Sequence, residues 1–440
     1  MPVQRAAYLL LALLLGLAAA HADGLPNPFP TGCLAVRTLP NGLRVVVRED
    51  HSLPIVSMVV AVRGGSGTSA APGAAHYLEH LVLQGTKRYP GPLAPQYALE
   101  KVGGVSEAVT SRDMTRFQAT VESSQARLLV DILADVATAA TLDDESFARE
   151  RPTVLSEIQG MTDDPRALLI NLGYQFSYRA HPYRSRPTGG IEDVLRLTPE
   201  DVHAYYRRWY VPNNMSVVLV GDITPAQAFG LVEKAFGNAK AATLPGWPAD
   251  EPPGREIAEM HIPTDLDDTY QIMAFPVPPI NDFTGTLIAD LILALLAGDG
   301  DGLLRKAWMK DGIPVIDSGV EFISARGPGR LLIWALTEPA QAGKLRRSTM
   351  NLLTSLAAAP VPTETLALAK QRLAAELLME NETYSRQAAT LAFYEGLGGA
   401  DAMTRYIPAL ERLTAEQVRA AMPARLLAWV TLGRRPEEGQ

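Results

Sequence analysis

Four prolines, Pro245, Pro248, Pro252 and Pro253, fall within nine residues of the run Leu244-Pro245-Gly246-Trp247-Pro248-Ala249-Asp250-Glu251-Pro252-Pro253-Gly254. Each fixes its own φ and removes a backbone donor, so neither a helix nor a central strand passes through this stretch. The chain of 440 residues is therefore expected to divide into an N-terminal domain over 23–243, a linker over 244–258 and a C-terminal domain over 259–440. With 47% apolar and 20% charged residues, each part can bury a core of its own.

The patterning on the two sides is similar. Before the linker, Asn41-Gly42 joins two apolar runs, 36–39 and 43–47, which predicts a hairpin. A strand from Ile55 to Val62 leads into the glycine-rich loop 64–67, followed by helices near 74–83 and 93–102 and a strand pair within 105–122. Helices are then predicted over 124–142, 143–172, 199–210 and 225–236, with a strand at 215–220. After the linker the order restarts: a strand at 269–276, helices at 284–297 and 302–310, strands at 314–322 and 329–337, and helices from 339 onward. The fold class expected is α+β, two similar α/β-sandwich halves joined by the proline-rich linker in a clamshell. The repeat is one of element order, not of residue identity.

Arg5, the apolar run Ala6 to Ala20 and the ending Ala20-His21-Ala22 read as a cleaved secretory signal over 1–22. The run is shorter than the roughly 20 apolar residues that span a bilayer, and Asp290 interrupts the next candidate, Leu287 to Ala297. An exported, periplasmic protein without a membrane span after cleavage is the expectation. Its formal charge is −8 with no basic block, which excludes nucleic acid as a partner. Cys33 is the one cysteine, so neither an intrachain disulfide nor a thiol-ligated zinc finger can form.

The chemistry concentrates in His76-Tyr77-Leu78-Glu79-His80, inside a predicted helix. Histidines four apart lie on one side of a helix and can share a zinc ion. Glu79 stands on the same face and is free to take a proton from a water on the metal. A catalytic zinc takes three protein ligands and leaves its fourth position open. The third must come from elsewhere, and Glu150 and Glu157 supply two candidates one stripe apart, seven residues or two turns of helix. Val154 and Ile158 beside them mark the buried side; a solvated acidic face is the competing reading. His51, His203 and His261 have no acid or histidine at ligand spacing.

The inverted motif His-x-x-Glu-His marks the inverzincins, and its surroundings resemble the pitrilysin/insulinase family of zinc peptidases. The resemblance is carried by Leu39-Pro40-Asn41-Gly42-Leu43, Gly73-Ala74-Ala75-His76 through His80, Gly85-Thr86, Gly103-Gly104 and Thr110-Ser111-Arg112-Asp113-Met114-Thr115. His181-Pro182-Tyr183, Gly189, Asn214 and Gly221-Asp222 extend it over residues 36–236. The family's third ligand follows the last motif histidine after 76 residues, which is the spacing from His80 to Glu157. Glu150 takes the place of a supporting family carboxylate. The resemblance implies one zinc per chain on His76, His80 and Glu157, with Glu79 as general base. It further implies halves that close over short, extended or unfolded peptides.

Three departures matter. Glu107 stands where the family places a substrate-binding asparagine, so a substrate-binding role there is altered or lost. In the second half, Trp308 and Val315 stand where self-sufficient members carry an arginine and a tyrosine that reach the substrate carbonyl. That half also has no His-x-x-Glu-His. These departures point to the metal-bearing subunit of a heterodimer, completed by a homologous subunit. The alternative is a structural or peptide-binding subunit of the same fold, against which the intact Glu79 argues.

Overall fold

The computed structural model describes residues 24–252, 256–298 and 302–435, so the predicted signal over 1–22 lies outside the described residues. The N-terminal half contains β1 (Ala35–Thr38), β2 (Arg44–Glu49), β3 (Ile55–Arg63), α1 (Ala74–Val82), α2 (Ala94–Glu100), β4 (Val105–Thr110) and β5 (Met114–Glu122). It continues with α3 (Ala126–Thr138), α4 (Asp144–Asp163), α5 (Pro165–Ser177), α6 (Ile191–Arg196), α7 (Pro199–Trp209), β6 (Met215–Gly221) and α8 (Pro225–Phe236). The C-terminal half contains β7 (Ala258–Pro263), β8 (Thr269–Val277), α9 (Phe283–Ala297), α10 (Leu303–Lys310), β9 (Asp317–Phe322) and β10 (Gly329–Thr337). It ends with α11 (Ala342–Ala358), α12 (Thr363–Glu380), α13 (Tyr384–Leu397), α14 (Asp401–Arg412), α15 (Ala415–Ala421) and β11 (Ala428–Gly433).

The strands form two sheets, ordered β1-β2-β6-β3-β5-β4 and β7-β11-β8-β10-β9. In each, the half's last strand pairs parallel to an early one, β6 with β2 and β11 with β7, and the other pairings are antiparallel. Leaving β1 aside, the second sheet thus repeats the first strand for strand. The repeat expected from element order is present, and α9 is the positional counterpart of α1.

One predicted helix is two. The reading of 143–172 as continuous fails at Asp164-Pro165, because the residue before a proline is pushed out of helical geometry. Asp164 is extended, and its carboxylate caps α5 by accepting from the N–H groups of Arg166 (2.8 Å) and Ala167 (3.2 Å). The break redirects the chain. α4 stays on the front of the first sheet with α1, whereas α5 crosses to the second sheet and packs on β8 and β11.

In return, α13 leaves its own half and packs on β3 and β6 of the first sheet. Each sheet therefore has its own helices on one face and the other half's helix on the opposite face. Small residues set the close fit: a Cβ on Gly396 of α13 would stand 2.7 Å from Met114, and one on Gly173 of α5 would stand 2.8 Å from Ile272. Polar clips complete the exchange. Arg48 Nη1 donates to Gln387 at 2.6 Å, Gln118 donates to the Ser385 carbonyl at 2.7 Å, and the Arg44 guanidinium pairs with the buried Glu395 carboxylate. On the other side Arg330 Nη2 donates to the Ser177 carbonyl at 2.9 Å. Prying the halves apart would expose Leu391 and Tyr384 on one helix and Leu169, Leu172 and Tyr178 beside the other. At about 1.5–3 kcal/mol each, that costs on the order of 10 kcal/mol.

The described linker residues 244–252 are tied down at two points. Glu251 accepts the His181 N–H at 2.7 Å, and the Arg326 guanidinium lies 3.9 Å from the centre of the Trp247 ring. Among the described residues no single helix is long and apolar enough to cross a membrane.

Candidate metal centre

The helix that carries the motif is short and begins at Gly73, which has φ 86° and lies against Gly189 and the Thr188 carbonyl. A side chain at Gly73 would be strained in that conformation and would meet this carbonyl at 2.9 Å, so a glycine is required where α1 starts. Tyr77 then fixes the helix against α4: its hydroxyl donates to the Phe147 carbonyl at 2.6 Å and its ring stacks on Phe147 at 4.6 Å. Val154 and Ile158, 0% and 1% exposed, pack inward as the pattern of α4 predicts.

That packing brings His76, His80 and Glu157 into one cluster, with a ligand atom from each within 4.8 Å of the others. His76 Nε2 lies 3.4 Å from Glu157 Oε1, and His80 Nε2 lies 3.3 Å from Glu157 Oε2. Neighbouring ligands on a tetrahedral zinc with bonds of 2.0–2.1 Å stand about 3.3 Å apart. Two imidazole nitrogens and one carboxylate, with a fourth position left for water, are the donor set of a catalytic zinc site. The residues fit the metal, and among the described residues this is the one cluster of its kind.

The surroundings tune the ligands. The two imidazoles hold the Glu157 carboxylate well below the usual carboxylate range. Burial works against a charged His80, but Glu157, Glu79 and Glu150 together raise its pKa. Glu150 faces the other ring nitrogen, its Oε2 3.6 Å from His80 Nδ1. It sits behind the ligand, where an acid orients a metal-bound imidazole. Glu79 is 8% exposed, and its Oε2 is buried without a partner. Burial is the main cause that pushes its pKa up, opposed by the Thr110 hydroxyl and the two histidines.

Residues 44–187 match insulinase (peptidase family M16), and residues 196–373 match the peptidase M16 inactive domain. The chain belongs to the M16 peptidase family. An uncharacterized zinc protease of Mycobacterium leprae is 33% identical over 203 residues, 46% of this chain and 45% of that protein. A probable mitochondrial-processing peptidase subunit beta of Arabidopsis thaliana is 27% identical over 246 residues, 55% of this chain and 46% of that protein. The chain thus spans about half the length of these curated relatives. A protease from Helicobacter pylori has the same fold, with a TM-score of 0.85, 22% identity and coverage of 92% of this chain and 100% of that one. Curated relatives in this family are named zinc proteases, and the cluster of His76, His80 and Glu157 could hold that metal.

The other residues singled out by sequence lie elsewhere. Glu107 is exposed on β4, and strand alternation puts it on the sheet face opposite Thr110 and α1. Its carboxylate pairs with Arg116 at 3.3 Å, so the structure does not bring it to the metal cluster. Trp308 is a core residue, 1% exposed, with its indole N–H donating to Thr349 at 2.9 Å. Val315 is partly buried against the same core. Sequence reasoning found no partner for His51, yet it stands between Glu49 (2.8 Å) and Asp222 (2.5 Å) at the surface. Tyr77 was missed as a positioning residue. Nothing in the motif itself marks this role, which depends on Phe147 of α4 lying beside it.

Proposed function

We propose that this M16 chain is a zinc-dependent endopeptidase acting on short or unfolded peptides, and that it is the metal-bearing subunit of a pair. The observation that carries the reading is the buried, half-unpartnered Glu79 carboxylate beside the ligand triad, which pure metal binding does not need. Zinc, when bound, supplies a Lewis acid that lowers the pKa of water and polarises a peptide carbonyl. Glu79 accepts the attacking water's proton, and its raised pKa suits it to return that proton to the departing amine. Glu150 holds the His80 ring in place through Nδ1.

Substrate shape follows from the sheet. β4 is an edge strand of the first sheet, and its last residue, Thr110, touches Glu79. An extended peptide can add to that edge through backbone hydrogen bonds, which favours unfolded chains over folded ones.

Among the described residues, neither Trp308 nor Val315 offers the developing oxyanion a donor at the site. Thr110, His76, His80 and Glu157, the groups that act on Glu79, all belong to the N-terminal half. Trp308 and Val315 are occupied in the core of the other half. Because the halves interlock, closure over a peptide falls between this chain and a homologous partner; the word subunit in the name of the Arabidopsis relative supports that reading. The predicted export signal makes the periplasm the expected compartment, checked by cell fractionation.

The test is cleavage of a mixed unfolded-peptide library by the zinc-loaded chain alone, with Glu79→Gln as control. Zinc at one equivalent without cleavage, restored by a homologous partner chain, is the expected result. Glu79-dependent cleavage by a homogeneous monomer would overturn the paired reading, and no cleavage with any partner would overturn the enzymatic one.

A further inference from the structure

A cavity of about 210 Å³ lies where the halves meet, bounded by Arg112, Tyr174 and Tyr178 from one and by Ser324, Ala325 and Arg330 from the other. Arg112 donates from Nε to the Tyr183 carbonyl at 2.8 Å, and its guanidinium lies 3.7 Å from the centre of the Tyr174 ring. Its Nη2 is buried and has no partner. Arg330 lies 3.7 Å over Tyr178 and is held by the Ser177 hydroxyl (3.2 Å), the Gly329 carbonyl (2.8 Å) and the Ser177 carbonyl (2.9 Å). Stacking and these hydrogen bonds hold both guanidinium groups before anything binds.

Asp113 and Glu251 place negative charge near the two guanidinium groups, but neither accepts from Arg112 Nη2. The acid beside Arg112 in sequence, Asp113, has both oxygens engaged, one by the Tyr183 hydroxyl and the other by the Arg326 N–H at 3.0 Å. A buried N–H without an acceptor calls for one. The planar fork of an arginine is complementary to an oxyanion. The volume lies below the roughly 300–1,000 Å³ of sites for drug-sized ligands, which excludes a nucleotide and admits a single small group.

We propose that this cavity binds one carboxylate or phosphate group on Arg112, with Arg330 as the second positive wall. The group can arrive as a free anion or as a carboxylate carried by a peptide. Thr110 lines the cavity and also touches Glu79, so a peptide lying on the β4 edge passes its mouth. The peptide source rests on the peptidase reading above, whereas anion binding does not.

The test is thermal unfolding of the zinc-loaded protein against sodium phosphate, and separately sodium acetate, with ionic strength held constant by chloride. A saturable rise in Tm with at least one anion is expected, abolished in Arg112→Gln. Ile323→Glu, which places a carboxylate at the cavity wall, abolishes it too, whereas Ile323→Gln retains it. Bound zinc at one equivalent shows that each variant is folded, and the Ile323 pair decides if Arg112→Gln is not. No rise in the native protein beyond that of chloride overturns the proposal. So does a rise that survives in Arg112→Gln, because the anion would then sit on the metal or the surface. The source is read from cleavage of peptides with Glu against Gln and with a free against an amidated C-terminus. A roughly tenfold lower KM for one acid form, lost in Arg112→Gln, assigns the site to that peptide carboxylate. Equal KM values with the Tm shift intact assign it to a free anion. Absence of all cleavage, with a homologous partner chain as well as without, sinks the peptidase reading and leaves the Tm result standing.

Discussion

At the scale of single residues, the two acids that flank the histidines have separable duties. Glu79 is not part of the ligand triad, so Glu79→Gln keeps zinc at one equivalent and removes cleavage; general acid–base groups contribute about 10²–10⁴-fold in rate. Glu150 lies behind the ligand, against His80 Nδ1, and acts through that ring. Glu150→Gln is therefore expected to weaken zinc by about 10–100-fold in a chelator competition while leaving the saturated enzyme active. A reversed result, zinc loss with Glu79→Gln and retention with Glu150→Gln, would exchange the two roles. Removing the metal should stop activity without unfolding the helices, because Tyr77 and Phe147 lock α1 to α4 independently of zinc. Far-UV circular dichroism after chelation checks this.

At the scale of elements, titration of one helix should mark the pH dependence of stability. Asp290 is the single acid on the otherwise apolar α9; burial, opposed by the Tyr406 hydroxyl, pushes its pKa up to about 7. The folded state thus holds a proton that the unfolded chain releases near pH 4. That stabilisation is complete below about pH 4 and is lost as pH rises through about 7. Asp290→Asn should flatten the decline in unfolding free energy between pH 5 and pH 8.5 by about 1–3 kcal/mol, a range kept low because the residue is only partly buried. An equal fall in urea-derived unfolding free energy between the two pH values in the native protein and in Asp290→Asn would contradict this.

Elements also show what the sequence could and could not disclose. The hairpin at Asn41-Gly42, the motif helix and the pairing of β4 with β5 depend on local turn chemistry and short periodicity, and they stand where expected. The ligand cluster was legible because two spacings, four residues and 76 residues, carry it. β7 and β11 escaped notice: each has only six residues, and β11 is defined by its partners β7 and β8 rather than by its own pattern. The destination of α5 and α13 was equally hidden. An apolar stripe says that a helix covers a sheet, not which sheet, and both candidate sheets present an apolar face. Asp164-Pro165 signals the break, but not that the chain crosses to the other half there.

At the scale of the molecule, the proline-rich linker is a boundary in sequence but not in stability. Each half without the other would leave one face of its sheet bare: β3 and β6 without α13, β8 and β11 without α5. Each would also carry a helix with nothing to cover. Residues 24–243 expressed alone should therefore be poorly soluble or molten, while coexpression with 256–435 restores a zinc-binding complex. Proteolytic nicking within 244–252 of the intact protein should leave both fragments eluting together on gel filtration, with one broadened or unchanged cooperative transition rather than two. The same interlock holds the two walls of the inter-half cavity together, so nicking should not alter the Tm response to phosphate or acetate. Independent folding of residues 24–243 with full zinc affinity would show that the exchanged helices are dispensable. It would also return the closing motion to a hinge inside this chain.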